Sequence, residues 1–177
     1  MPSGRIHDRI TLWSLPWIVG LSWLLSRSST VALLMSSAFV FSGLMFGPDL
    51  DIYSVQYQRW GVLRWIWQPY QSMIPHRSCL SHGCIIGTLI RILYLSLILI
   101  LGGIPLIILV KLVSGSDWNW QQIALDIWQL LTQDYLQEIL AIVIGLELGS
   151  MSHSLSDWLG SAYKRQKRQP KKRRKRR

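Results

Sequence analysis

Apolar residues in this chain gather into long runs. About Ile10 to Leu25, Thr30 to Phe46, Cys84 to Val113 and Leu136 to Met151 stand out. Each approaches the roughly 17–25 residues a helix needs to cross a bilayer. The first is short and contains Pro16. The polar Ser26-Arg27-Ser28-Ser29 turn separates it from the second, so these two form either two spans or a shallow hairpin. Gly102, Gly103 and Pro105 interrupt the third and predict a kink or a tilted span. Ahead of the fourth run, Trp120, Ile123, Ile127, Leu130, Leu131 and Tyr135 recur at helical spacing. They predict an amphipathic helix, capped by Asp117, whose Trp118, Trp120, Trp128 and Tyr135 suit a membrane interface. A second such helix is expected over Asp51 to Pro75, anchored by Trp60, Trp65 and Trp67. The pattern predicts an all-α integral membrane bundle of about four segments with amphipathic interfacial helices.

Charge divides the chain. Of its 19 basic residues, 11 lie between Lys164 and Arg177, where there is no acid, so the net charge of +10 belongs to the tail. Residues 1–163 read as a nearly neutral membrane-embedded domain and 164–177 as a disordered polybasic tail. With four spans, Arg5, Arg9, Arg59, Arg64, Arg77 and the tail fall on one side of the membrane, and Arg27 and Lys111 on the other. Because cytoplasmic loops carry an excess of Lys and Arg, both termini and the segment 48–83 are expected in the cytoplasm, in a multi-pass protein of the inner or plasma membrane. No Ala-x-Ala-like cleavage site closes the first run. The tail's expected partner is anionic lipid, with nucleic acid a weaker alternative.

That topology changes how the rare polar residues read. All four histidines land on the cytoplasmic edge: His7, His76, His82 and His153. Asp8, Asp49, Asp51 and Asp157 join them. His153 and Asp157, four apart, share one face of a helix. Asp49 and Asp51, two apart after Gly47-Pro48, point the same way if the backbone is extended. His76 is expected in the loop after Pro75, and His82 in the first turns of the third span. Ionisable groups beside a bilayer need a compensating reason, and imidazoles mixed with carboxylates suit Zn first, with Mn or Fe(II) as alternatives. Cys79 and Cys84 read as reduced packing thiols, since no second Cys pair exists.

The motifs PDLD at 48–51, HRSCLSH at 76–82 and GSMSHSLSDW at 149–158, with His7 near the start, bring a likeness into view. The chain resembles a family of metal-binding proteins of unknown function from cyanobacteria and archaea. More distantly it is similar to inner-membrane metal-dependent hydrolases regulated by the SOS repressor, which carry these elements in the same order. The resemblance runs to about Tyr163. It implies His7, Asp49, Asp51, His76, His82, His153 and Asp157 as metal ligands. Ser81 stands where the hydrolases have Thr, Gly83 replaces their Ser, and the basic tail has no counterpart.

So many ligands suit one ion or two, and a pair about 3.5–4 Å apart is an arrangement used in phosphoester hydrolysis. Arg77 is the expected phosphate clamp, with a lipid-like or otherwise phosphorylated amphiphile as substrate. The competing readings are a metal that staples the helix ends without catalysis and, last, a metal transporter. Finally, Arg91 and Glu147, the two charges expected within the spans, are predicted to pair beneath the site.

Overall fold

The computed structural model describes residues 4–115 and 118–174. Every regular element among them is helical. Helix α1 (Gly4–Ser26) turns at Arg27 into α2 (Ser29–Met45), whose start is capped by the Ser28 hydroxyl accepting from the Val31 amide. A 3-10 turn (Pro48–Asp51), α3 (Val55–Gln58), a second 3-10 stretch (Gly61–Trp67), α4 (Gln68–Met73) and α5 (Cys79–His82) follow. Helix α6 (Ile86–Ser114) is continuous through Pro105. Helix α7 (Trp120–Gln129) leads through a π-helical turn (Leu130–Asp134) into α8 (Leu136–Arg174).

Helices α1, α2 and α8 pack together, and small residues let them approach. A Cβ at Gly145 would strike the Met35 carbonyl, and one at Gly149 the Phe39 carbonyl. These glycines, one turn apart, bring α8 against α2 backbone to backbone, and the Ser42 hydroxyl donates to the Leu146 carbonyl across that seam at 2.6 Å. Gly149→Val is expected to cost about 2 kcal/mol, read in detergent as a fall of about 6 °C in the unfolding midpoint. Gly102→Ala, where an added Cβ meets nothing within 4 Å, should leave the midpoint in place.

Several expectations are corrected. Among the described residues three helical segments, not four, are long and apolar enough to cross a membrane: Ser29–Asp51, Ile86–Ser114 and Leu136–Gly160. The 23-residue α1 is not among them; it opens with charged residues and carries three Trp, yet it runs antiparallel beside α2, with Thr11 against Gly43. The segment 51–75 is not one surface helix. Gly61 (φ +55) and Pro69 break it into short pieces that fold inward. Trp67, expected as an anchor, is fully buried against Phe46, Trp60, Tyr70 and Tyr94, with ring centroids 5.1–5.7 Å away. This aromatic plug also buries Leu50 and so holds the Pro48–Asp51 turn from below. Helix α8 continues through Arg174, so the tail expected to be disordered is helical to that point. Lys, Arg and Gln are good helix formers, and extending an existing helix avoids the cost of nucleation. Asp117, the expected cap of α7, and 175–177 lie outside the described residues; Asn119 accepts from the Gln121 and Gln122 amides at that helix start.

Helix α6 stands apart. At 29 residues it is about 43 Å long, and none of its most apolar window is buried. It is buried at Gly87, Thr88 and Arg91, and Ile90, Tyr94, Leu95 and Ile98 pack against the core, while nearly all of it beyond Ile98 is exposed.

Candidate metal centre

One end of the bundle collects the rare polar residues. His7 comes from the second turn of α1, Asp49 and Asp51 from the turn after α2, His76 from the loop after Pro75, His82 from α5, and His153 and Asp157 from α8. All seven residues singled out in the sequence meet here.

They meet in a way that chain spacing did not foretell. Asp49 and Asp51 do not point the same way, because Pro48–Asp51 is a 3-10 turn rather than extended backbone. At three residues per turn, positions two apart diverge widely. The two carboxylates therefore serve different neighbours. Asp49 Oδ2 lies 3.1 Å from His153 Nε2, whereas Asp51 Oδ1 lies 2.9 Å from His76 Nδ1. His82 ends its own single-turn helix, because the chain breaks at Gly83–Ile85, with Ile85 at φ +66, before α6 begins. The result is three groups of three, two of which have no common member, while the third, Asp49, His82 and Asp157, links them. Of the two separate triads, one is His7, His153 and Asp157; the other is Asp51, His76 and His82. The ligand atoms of each lie within 4.8 Å of one another.

Two serine hydroxyls decide which imidazole nitrogen faces inward. The Ser156 hydroxyl donates to the His153 carbonyl at 2.8 Å, so it must accept from His7 Nδ1, 2.5 Å away. His7 Nε2 then presents a lone pair to Asp157 Oδ1 at 3.3 Å. Likewise the Ser81 hydroxyl donates to the Asp51 carboxylate and accepts from His82 Nδ1 at 2.8 Å. His82 Nε2 therefore presents a lone pair to Asp49 Oδ1, 3.7 Å away. In both places an acceptor faces an acceptor, which is stable only with a proton or a metal ion between them. Burial pushes the His7 pKa below its ordinary value, a nearby His153 reinforces that, and Asp157 and Asp49 oppose it. The neutral, ligating form is thus favoured over the protonated one.

A second observation agrees. Asp49 Oδ1, His82 Nε2, His153 Nε2 and Asp157 Oδ1 are all buried without a hydrogen-bond partner. Two donors bound to one ion at about 2.0–2.2 Å lie about 3.3 Å apart in a tetrahedron, close to the 3.1 and 3.3 Å separations found here. The residues present fit a metal ion.

The family model for an uncharacterized metal-binding protein (DUF2227) matches residues 2–167. The chain belongs to this family. No curated protein and no solved structure matches it. Metal binding is therefore a property of the family, and the His and Asp clusters give it a location in this member.

A cavity of about 100 Å³ opens beside the first triad, lined among others by His7, Asp49, Gln56, Arg59, His153 and Asp157. Arg59 closes one wall. Its guanidinium donates to both Asp8 oxygens, at 3.0 and 2.5 Å, and to the Leu44 carbonyl at 2.9 Å. Arg77, the expected phosphate clamp, is exposed in a left-handed turn (φ +61) and does not line this cavity. Cys79 and Cys84 are free and exposed rather than packed, and neither belongs to a triad.

Arg91 and Glu147 do not pair. Arg91 is fully buried and donates to the Ser81 carbonyl (2.9 Å), Thr88 Oγ1 (3.0 Å) and Ser150 Oγ (2.7 Å), with its guanidinium 5.9 Å from the centroid of the Phe46 ring. Glu147 Oε1 instead accepts from the Ile85 amide at 2.9 Å. The break at Gly83–Ile85 folds α5 back over the start of α6, so Arg91 lies beside Ser81 rather than two turns deeper. Sequence reading also missed Ser156 and Gln56, whose signal was faint: a hydroxyl preceding Asp157, and a lone amide among aromatics.

Proposed function

We propose that this protein is a membrane-embedded, metal-dependent hydrolase that cleaves a phosphoester of a lipid-like or otherwise phosphorylated substrate at the cytoplasmic face. The observation that carries this is the cavity of about 100 Å³ beside the His7, His153 and Asp157 triad. Structural metal sites are closed by their four ligands, whereas catalytic ones keep a position open with room beside it. The room suits a terminal phosphate better than a whole amphiphile. Zn is the best match to the donor set, with Mn or Fe(II) next, as one ion or two.

When bound, the metal supplies Lewis acidity toward a phosphoryl oxygen and makes a water more acidic. The chain's own residues do the rest. Asp49, His7, His153 and Asp157 would hold the ion. Arg59, already oriented by Asp8, offers its remaining N–H groups to an anionic oxygen, with the fork geometry that matches phosphate. Three long apolar segments, an α1 that runs antiparallel along α2 and so brings the N-terminus to the metal-site end, an α6 exposed over its second half and the basic residues gathered toward one face support membrane insertion with both termini in the cytoplasm. The polybasic end of α8 is then placed to meet anionic lipid, with nucleic acid as its weaker alternative partner. Similarity of the motif order to the SOS-regulated membrane hydrolases points the same way.

The competing role, a metal that only staples helix ends, draws on the burial of His7 and His153 at 6% and 4% exposure. Phosphate release from phosphatidic acid in mixed micelles decides between them. Zn- or Mn-loaded wild type should release phosphate, and Arg59→Ala should lose at least about tenfold in rate. A fully metal-loaded, folded protein with no release from phosphatidic acid or from a water-soluble phosphomonoester would leave the staple as the role.

A further inference from the structure

We infer that the centre holds two metal ions, one in each triad, with the Asp49 carboxylate bridging them. The proposal deepens the hydrolase reading and rests on it only for its chemical purpose.

The geometry excludes a single ion with seven ligands. Donors on one ion at about 2.0–2.2 Å can be no more than about 4.4 Å apart. Within a 4.8 Å limit the seven residues fall into three groups: His7, His153 and Asp157 share no member with Asp51, His76 and His82, and Asp49, His82 and Asp157 lie between the two. Each triad supplies two imidazoles and one carboxylate, enough for an ion that keeps open positions. Between them stands Asp49, with one oxygen toward each. Oδ2 lies 3.1 Å from His153 Nε2 in the first triad, and Oδ1 lies 3.7 Å from His82 Nε2 in the second. Oδ1 is buried and unpartnered, as are both imidazole nitrogens it and its twin oxygen face. The His82 Nε2 lone pair and Asp49 Oδ1 need a cation between them, while Asp49 Oδ2 reaches the first triad, where His7 Nε2 and Asp157 face each other in the same way.

The triads differ in access. His7 and His153 are 6% and 4% exposed, while the side chains of His76 and His82 are 30% and 17% exposed. The first ion should therefore be slow to exchange and the second quick. Ser81 and Ser156 repeat the same device, each taking the Nδ1 proton of one imidazole so that Nε2 is free to ligate.

The test is metal content of detergent-purified, full-length protein loaded with Mn²⁺ and desalted. Wild type should carry two ions per chain and show the exchange-coupled electron paramagnetic resonance spectrum of a carboxylate-bridged pair. His76→Ala should keep one ion and show an uncoupled spectrum, and a mild chelator applied to wild type should remove one ion well before the other. One ion per chain in wild type, or two without coupling, overturns the bridged pair and leaves the metal-dependent hydrolase reading standing. No retained metal in folded wild type overturns both. Because stoichiometry and coupling are read on wild type, an unstable variant does not rescue the proposal.

Discussion

Arg91→Met lowers stability by about 3 kcal/mol and weakens metal binding about 10- to 100-fold, with the Asp51, His76 and His82 ion lost first. Three buried acceptors, the Ser81 carbonyl, Thr88 Oγ1 and Ser150 Oγ, depend on this one guanidinium. Each stranded acceptor costs about 1–3 kcal/mol, offset in part because Met removes a buried charge that has no carboxylate partner within ion-pair distance among the described residues. The effect on metal follows from Ser81. Arg91 holds its backbone, and its hydroxyl sets both the Asp51 carboxylate and the His82 tautomer. Groups that orient ligands in this way typically change affinity by the factor given. Arg91→Lys should not restore binding, since one ammonium cannot reproduce a planar fork across three divergent acceptors. Thermal unfolding and Mn²⁺ titration in detergent read the two effects separately. Wild-type metal affinity in Arg91→Met would show that Arg91 only fills space.

Stripping the metal should lower the unfolding midpoint by about 10 °C, and His153→Ala should reproduce most of that fall without a chelator. An ion present at about a thousand times its dissociation constant stabilises the fold by about 4 kcal/mol, which in a chain of this size is worth about 2–4 °C for each kcal/mol. The physical source is local. Without a cation, His7 Nε2 faces Asp157, and His82 Nε2 faces Asp49, acceptor against acceptor. The carboxylates of Asp49, Asp51 and Asp157 also lie near one another without a compensating positive charge, because Arg59 is committed to Asp8. The triads join α1, the turn after α2, α5 and α8, so losing the ions loosens four elements together. Differential scanning fluorimetry with and without chelator checks this. An unchanged midpoint on full metal removal would mean that the site is preformed without strain.

The helices, and the gathering of the four histidines with Asp49, Asp51 and Asp157 at one edge, were legible in the sequence. Long apolar runs can satisfy their backbone only as helices in an apolar setting, and the observed α2, α6 and α8 follow those runs. His153 and Asp157 share a face because α-helical geometry is local, so four residues of spacing suffice. Which ligand meets which was decided only by the tertiary structure. Asp49 and Asp51 diverge because an aromatic plug centred on Trp67 supports a 3-10 turn where extended backbone was expected. Arg91 finds Ser81 instead of Glu147 because the chain breaks at Gly83–Ile85, a break that depends on a tight turn with Ile85 at φ +66 and that no periodicity announces. The Trp-rich segment 51–75 looked interfacial because a tryptophan suits lipid headgroups and a protein core equally well by composition. Hydropathy records how apolar a residue is, while burial depends on what the remainder of the chain brings against it, and at this site that is what divides one set of ligands into two facing triads.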